Sequence, residues 1–133
     1  INKACQAVLA KGLADMGVLT VSAEESMKPE IGLHRRWTLH GVSHHLGLDV
    51  HDCAQARKEE YLDAPLREGM VLTVEPGLYI QPDDELFAPE YRGIGIRIED
   101  DVVVTADGCR NISENIPRHP DEIEKWMKAV LGR

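Results

Sequence analysis

GMVLTVEPGLY, residues 69–79, reads as a β-strand that runs straight into a carboxylate and then into a turn signal. From Met70 to Glu75 the stretch is rich in β-branched residues, and Pro76-Gly77 punctuates its end. Strand periodicity puts Val71, Thr73 and Glu75 on one face and Met70, Leu72 and Val74 on the other. Downstream, the polar, Pro-containing stretch 81–92 reads as a loop. Ile94 to Glu99 and Val102 to Thr105 read as further strands, and Asp107-Gly108 as a hairpin turn into Cys109 to Ile112. Upstream lies a histidine-rich segment from His34 to Asp52. Before it, Ser22 and Glu25 have capping-box spacing for a short helix that ends before Pro29. The chain opens on a helical pattern of Cys5, Val8, Leu9, Leu13 and Met16 that Gly17 closes. It finishes on an amphipathic helix opened by Pro120, whose stripe of Ile123, Trp126, Met127, Val130 and Leu131 reads as core packing. Helices, then strands, then a helix, with no linker between them, predict a single α+β unit: an antiparallel sheet flanked by helices.

A chain of 133 residues with 43% hydrophobic and 29% charged residues has the balance of a globular domain. Its formal net charge of -8 argues against nucleic acid and anionic membrane as partners, since neither polyanion is attracted to it. No apolar run reaches the ~18 residues of a membrane span. The three cysteines, Cys5, Cys53 and Cys109, are far apart and odd in number, which fits reduced thiols and a cytoplasmic location better than a disulfide framework.

The chemistry concentrates in two places. Five of the six histidines, His34, His40, His44, His45 and His51, lie within residues 34–51, and Glu75 and Glu99 each end an otherwise apolar strand. A carboxylate at the end of a buried strand is costly unless a cation meets it. Imidazole with carboxylate is a donor set for a divalent transition metal. On the strand 94–99, Arg97 and Glu99 share one face while Ile96 and Ile98 share the other, which is expected to pack. Should the two strands be neighbours, Glu75 and Glu99 converge, and a metal relieves their repulsion. His40 and His44 stand four apart, but the sequence lacks HExxH and Gly41 weakens a helix. His45 is expected to point away from His44, and His34 and His119 are expected at the surface.

HGVSHHLGLDVHD (40–52), GMVLTVEPGLY (69–79) and GIGIRIEDDVVVT (93–105) together resemble the pita-bread metallopeptidases, and among them the aminopeptidase P (Xaa-Pro aminopeptidase) family. Ser43, with Gly-Leu-Asp-Val-His behind it, looks more like a bacterial aminopeptidase P than a prolidase. The resemblance implies that residues 1–133 are the C-terminal half of the pita-bread catalytic domain, with its first half and the small N-terminal domain absent. It implies two divalent cations, most often Mn2+, with His44, Glu75 and Glu99 as metal ligands and Glu75 also as proton acceptor. His40 and His51 would bind substrate and stabilise charge on the scissile peptide. Tyr79 and Arg97 would help form the subsite for proline. The family's two aspartate ligands lie upstream of everything here, so the chain alone is expected to be inactive and to need the missing half as partner. The complete enzyme is expected to be a homo-oligomer that releases the residue preceding a proline. Alternatives are a prolidase acting on dipeptides, or a non-catalytic pita-bread binding module.

Overall fold

The computed structural model describes residues 1–132. Its elements follow the order α1 (Asn2–Asp15), α2 (Ala23–Ser26), a 3-10 turn (Leu33–Arg36), α3 (Lys58–Tyr61), β1 (Val71–Val74) and β2 (Gly77–Tyr79). A second 3-10 turn (Pro89–Tyr91), β3 (Gly95–Arg97), β4 (Asp100–Val104), β5 (Cys109–Asn111) and α4 (Pro120–Leu131) complete it. Mixed helix and antiparallel strand is the expected class. Ser22 caps α2 by accepting a hydrogen bond from the Glu25 N–H at 3.1 Å, as its spacing with Glu25 predicts.

Two small antiparallel sheets, β1-β4-β5 and β2-β3, share one register. Val74 stands opposite Asp100 on one side of the break, and Gly77 opposite Arg97 on the other. Counting inward from both sides sets Glu75 against Glu99 and Pro76 against Ile98. The break falls where Pro76 has no N–H to give. Its carbonyl still accepts from the Ile98 N–H at 3.4 Å. Pro76-Gly77 therefore interrupts a two-stranded ribbon rather than ending it. The sequence reading missed β2 for that reason.

A third strand-like segment lies along the other edge. Leu46 N–H donates to Val71 O, Thr73 N–H to His44 O, Glu75 N–H to Val42 O and Tyr79 N–H to Trp37 O, at 2.8–3.0 Å. The histidine segment is thus extended, not helical. The main apolar core sits beside it, with Leu13, Val18, Trp37, Ile80 and Phe87 buried and Leu19 and Leu78 packed against them. On α1 the buried residues are Gln6, Ala10 and Leu13, whereas Val8 and Met16, expected on the apolar face, are exposed.

Three expectations are corrected. His34 is buried: its ring Nδ1 lies 2.9 Å from Ser26 O, and its backbone N–H donates to Ser26 Oγ. A loop histidine with two such partners can be interior. The α4 stripe is not core packing here, since Trp126, Met127, Val130 and Leu131 are all exposed. Ile96 and Ile98 are exposed too, so among the described residues nothing covers the apolar face of the ribbon.

Candidate metal centre

The constant register brings the two acids together. Glu75 bonds outward through its N–H to Val42, so the Glu75–Glu99 pair is of the non-hydrogen-bonded kind, in which side chains approach most closely. His44 arrives from the neighbouring segment. One donor atom from each of His44, Glu75 and Glu99 lies within 4.8 Å of the other two. Glu75 is buried, His44 half-buried and Glu99 exposed.

The tautomer of His44 follows from its neighbours. Its Nδ1 faces the His45 carbonyl at 3.0 Å, an acceptor only, so Nδ1 carries the hydrogen and donates. That leaves the Nε2 lone pair facing Glu75 Oε1 at 3.1 Å. Two acceptors at that distance need a proton or a cation between them. An imidazole nitrogen and two carboxylates suit a divalent transition metal, and donor–ion bonds of about 2.1 Å allow donors up to roughly 4.2 Å apart. The donor atoms fit such an ion after small side-chain adjustments, as part of a coordination shell that other groups must complete.

Of the other residues singled out in the sequence, His51 and Arg97 touch this group, whereas His40 and Tyr79 pair with each other. The His51 ring meets the His44 ring edge-on, with centroids 4.3 Å apart. Arg97 Nη1 stands 3.5 Å from Glu75 Oε2. His40 Nε2 is 2.6 Å from the Tyr79 hydroxyl, while His40 Nδ1 donates to the Gly41 carbonyl. In the neutral ring the Tyr79 O–H therefore donates to Nε2. The Tyr79 ring lies back over two glycines. A Cβ on Gly77 would fall 2.5 Å from its hydroxyl oxygen, and one on Gly95 3.0 Å from its Cδ1. His45 turns to the opposite side, with its ring 5.1 Å from that of Tyr61, and His119 is exposed.

Two residues, one at the site and one beside Glu99 in the chain, escape a reading by residue type. Thr73, 2% exposed, accepts from the His44 backbone N–H at 3.1 Å and donates to Glu75 Oε1 at 3.4 Å. Its place on the Glu75 face was the available signal. Asp100, directly after Glu99, is gripped by Arg118 and Ser113. The Arg118 guanidinium and then the Ser113 hydroxyl hold its carboxyl down to about 2, against burial.

Extended register, paired acids and an imidazole oriented by the His45 carbonyl form a donor group suited to a divalent metal. The chain belongs to metallopeptidase family M24, whose family model matches residues 1–106. More particularly, it is 58% identical over 131 residues to Xaa-Pro aminopeptidase 1 of Streptomyces coelicolor, a match covering 98% of this chain and 26% of that protein. Among solved structures, the aminopeptidase PepP of Pseudomonas aeruginosa superposes with a TM-score of 0.85 at 38% identity, over 99% of this chain and 29% of that one. Aminopeptidase P from Escherichia coli with the inhibitor Pro-Leu gives 0.80 at 43% identity, over 96% and 28%. The fold is thus a portion of the pita-bread fold. The chain spans about a quarter of the length of the curated relatives it matches. Among the described residues no helix is long and apolar enough to cross a membrane.

Proposed function

We propose that this chain is the C-terminal part of the catalytic domain of an Xaa-Pro aminopeptidase, which releases the residue preceding a proline at the N-terminus of a peptide. The observation that carries the reading is the meeting of His44, Glu75 and Glu99 within 4.8 Å, with His51 against His44 and Arg97 against Glu75. Similarity to Xaa-Pro aminopeptidases over nearly the whole chain supports the same substrate class.

His44, Glu75 and Glu99 would hold part of a pair of divalent cations, with Mn2+ the assigned ion and two upstream aspartates completing the shell. Bound cations supply Lewis acidity and bring a water toward ionisation near neutral pH. Glu75, held between His44 and Arg97, accepts the proton of the attacking water. His40 and His51 donate hydrogen bonds to the carbonyl oxygen as it gains charge. For His40 this requires a hydrogen on Nε2, which the ring donating from Nδ1 to Gly41 lacks, so the ring must change tautomer or become the imidazolium and turn Nε2 away from the Tyr79 hydroxyl. Tyr79 and Arg97 border the subsite for the proline ring, whose tertiary amide has no N–H to offer. The complete enzyme is assigned to the cytoplasm as a homo-oligomer.

The test compares the complete enzyme with residues 1–133 alone, both supplied with Mn2+, on a tripeptide with proline second. The complete enzyme should release the first residue and the fragment should not, until the upstream half is added back. Turnover by the pure fragment, hydrolysis of dipeptides only, or fewer than about one ion per complete chain would each overturn the reading.

A further inference from the structure

One buried ionised group stands outside the metal site. Asp84, 2% exposed, lies in the loop after β2, and three donors converge on it. The Trp37 indole N–H reaches Oδ2 at 2.7 Å, Arg36 Nε reaches the same oxygen at 3.2 Å, and the Leu86 N–H reaches Oδ1 at 3.1 Å. Burial works to raise the Asp84 pKa, but these donors outweigh it and the carboxyl ends below its ordinary range. A polar clamp of this kind at the edge of an apolar core fixes a geometry.

What it fixes is the outer end of the segment that carries His40. Between Leu46 and Val42 the segment tracks β1 and Glu75 two residues for two, through the bonds to Val71, Thr73 and Glu75. The next anchor is Trp37 O, which accepts from the Tyr79 N–H at 2.9 Å. From Val42 back to Trp37 is a step of five residues, against four from Glu75 to Tyr79. The extra residue must be accommodated as a bulge, and bulges re-aim side chains. His40 lies in that span, with Nε2 at 2.6 Å from the Tyr79 hydroxyl. The Thr38 hydroxyl, bonded to Gln6 Oε1 at 2.9 Å, holds the first residue of the bulge to α1.

We propose that Asp84 is a positioning residue for His40: by clamping the Trp37 indole it sets the outer anchor of the bulge, and so the meeting of His40 with Tyr79. The consequence for turnover rests on the aminopeptidase reading above. The position of the ring does not.

The experiment uses the complete enzyme with Trp37→Phe, Asp84→Ala and Asp84→Asn, loaded with diamagnetic Zn2+ for a carbon–proton spectrum that follows the His40 ring cross-peak, assigned with His40→Ala. Steady-state kinetics and bound metal are measured alongside. Trp37→Phe keeps the aromatic ring and removes only the donor. It should shift the His40 signal and lower kcat/KM on a prolyl peptide about tenfold, as a misplaced group does. Bound metal should stay at the wild-type level, because His44, Glu75 and Glu99 are anchored independently. Asp84→Ala should do the same or more. Asp84→Asn keeps one acceptor for the indole but turns an amide N–H2 toward Leu86, and should fall between. An unmoved His40 signal in folded Trp37→Phe would overturn the proposal and leave Asp84 a residue of core stability alone. If Asp84→Ala does not fold, Trp37→Phe still decides. Should the enzyme cleave no prolyl peptide, the functional reading fails while the His40 signal still tests the positioning.

Discussion

Thr73→Val is the most informative single change near the metal group, because it keeps the shape of the side chain and removes one atom's chemistry. That hydroxyl serves the His44 backbone N–H at 3.1 Å and the Glu75 carboxylate at 3.4 Å. Losing it strands a donor in a site where Thr73 is 2% exposed, a cost of about 1–3 kcal/mol. The long bond to Glu75 adds roughly 0.5 kcal/mol at most. The expected loss of stability is therefore about 2 kcal/mol, which moves the Tm of a large enzyme by only a few degrees. Metal retention is the sharper readout. Outer partners of metal ligands typically contribute 10–100-fold in affinity, and the 3.4 Å separation points to the lower end, about tenfold. Chelator competition on the Mn2+-loaded complete enzyme measures this directly, with Thr73→Ser as the control that restores the hydroxyl and should stay within about twofold. Wild-type metal affinity in Thr73→Val would show that the hydroxyl does not orient the acid, and the reasoning from these two bonds would fail.

Gly77→Ala places a methyl group 2.5 Å from the Tyr79 hydroxyl oxygen and must displace that ring from His40. It should lower kcat/KM about tenfold with metal content unchanged; a wild-type kcat/KM on prolyl peptides would contradict this. Arg118→Met releases the carboxyl of Asp100, which sits at about 2 chiefly because of Arg118. A carboxyl depressed in the folded state adds stability above its unfolded pKa and loses it as pH falls toward the folded one. The variant should thus be less stable at pH 7, by about 1 kcal/mol after allowance for solvent screening, and the gap should close between about pH 4 and pH 2. Denaturant titrations across that range check it, and a gap that widens on acidification would refute it.

How much of this was legible in the sequence differs between strand and loop. The strands ending in Glu75 and Glu99, the hairpin at Asp107-Gly108 and the cap at Ser22 announce themselves through local periodicity and turn chemistry, and all appear near the expected places. His44 and His45 were separable because neighbours in an extended segment point to opposite sides, and they do. Burial was harder. His34 is interior because Ser26, eight residues earlier in the chain, supplies its partners. The α4 stripe has core composition yet is exposed, since periodicity shows which face wants cover and not whether this chain supplies it. Asp84 gave no local signal. Its meaning depends on Trp37, 47 residues away.

The position of Pro76 ties these observations together. An unbroken ribbon would pair Pro76 and Ile98 through two ladder bonds; a residue without an N–H gives up one of them, at a net cost of about 1 kcal/mol. The neighbouring Glu75–Glu99 pair sets like charges face to face, which a strand pair disfavours without a cation. One cation is already at hand. Arg97 stands opposite Gly77 in the register, where no side chain obstructs it, and reaches diagonally to Glu75 at 3.5 Å. The same absent Cβ leaves room for the Tyr79 ring. Glu-Pro-Gly thus does three jobs at successive positions: it presents an acid, removes a ladder donor beside it, and clears space for the guanidinium and phenol that flank it. A sequence selected only for strand stability would favour none of the three, and together they make sense where the ribbon must hold charge that a bound ion balances.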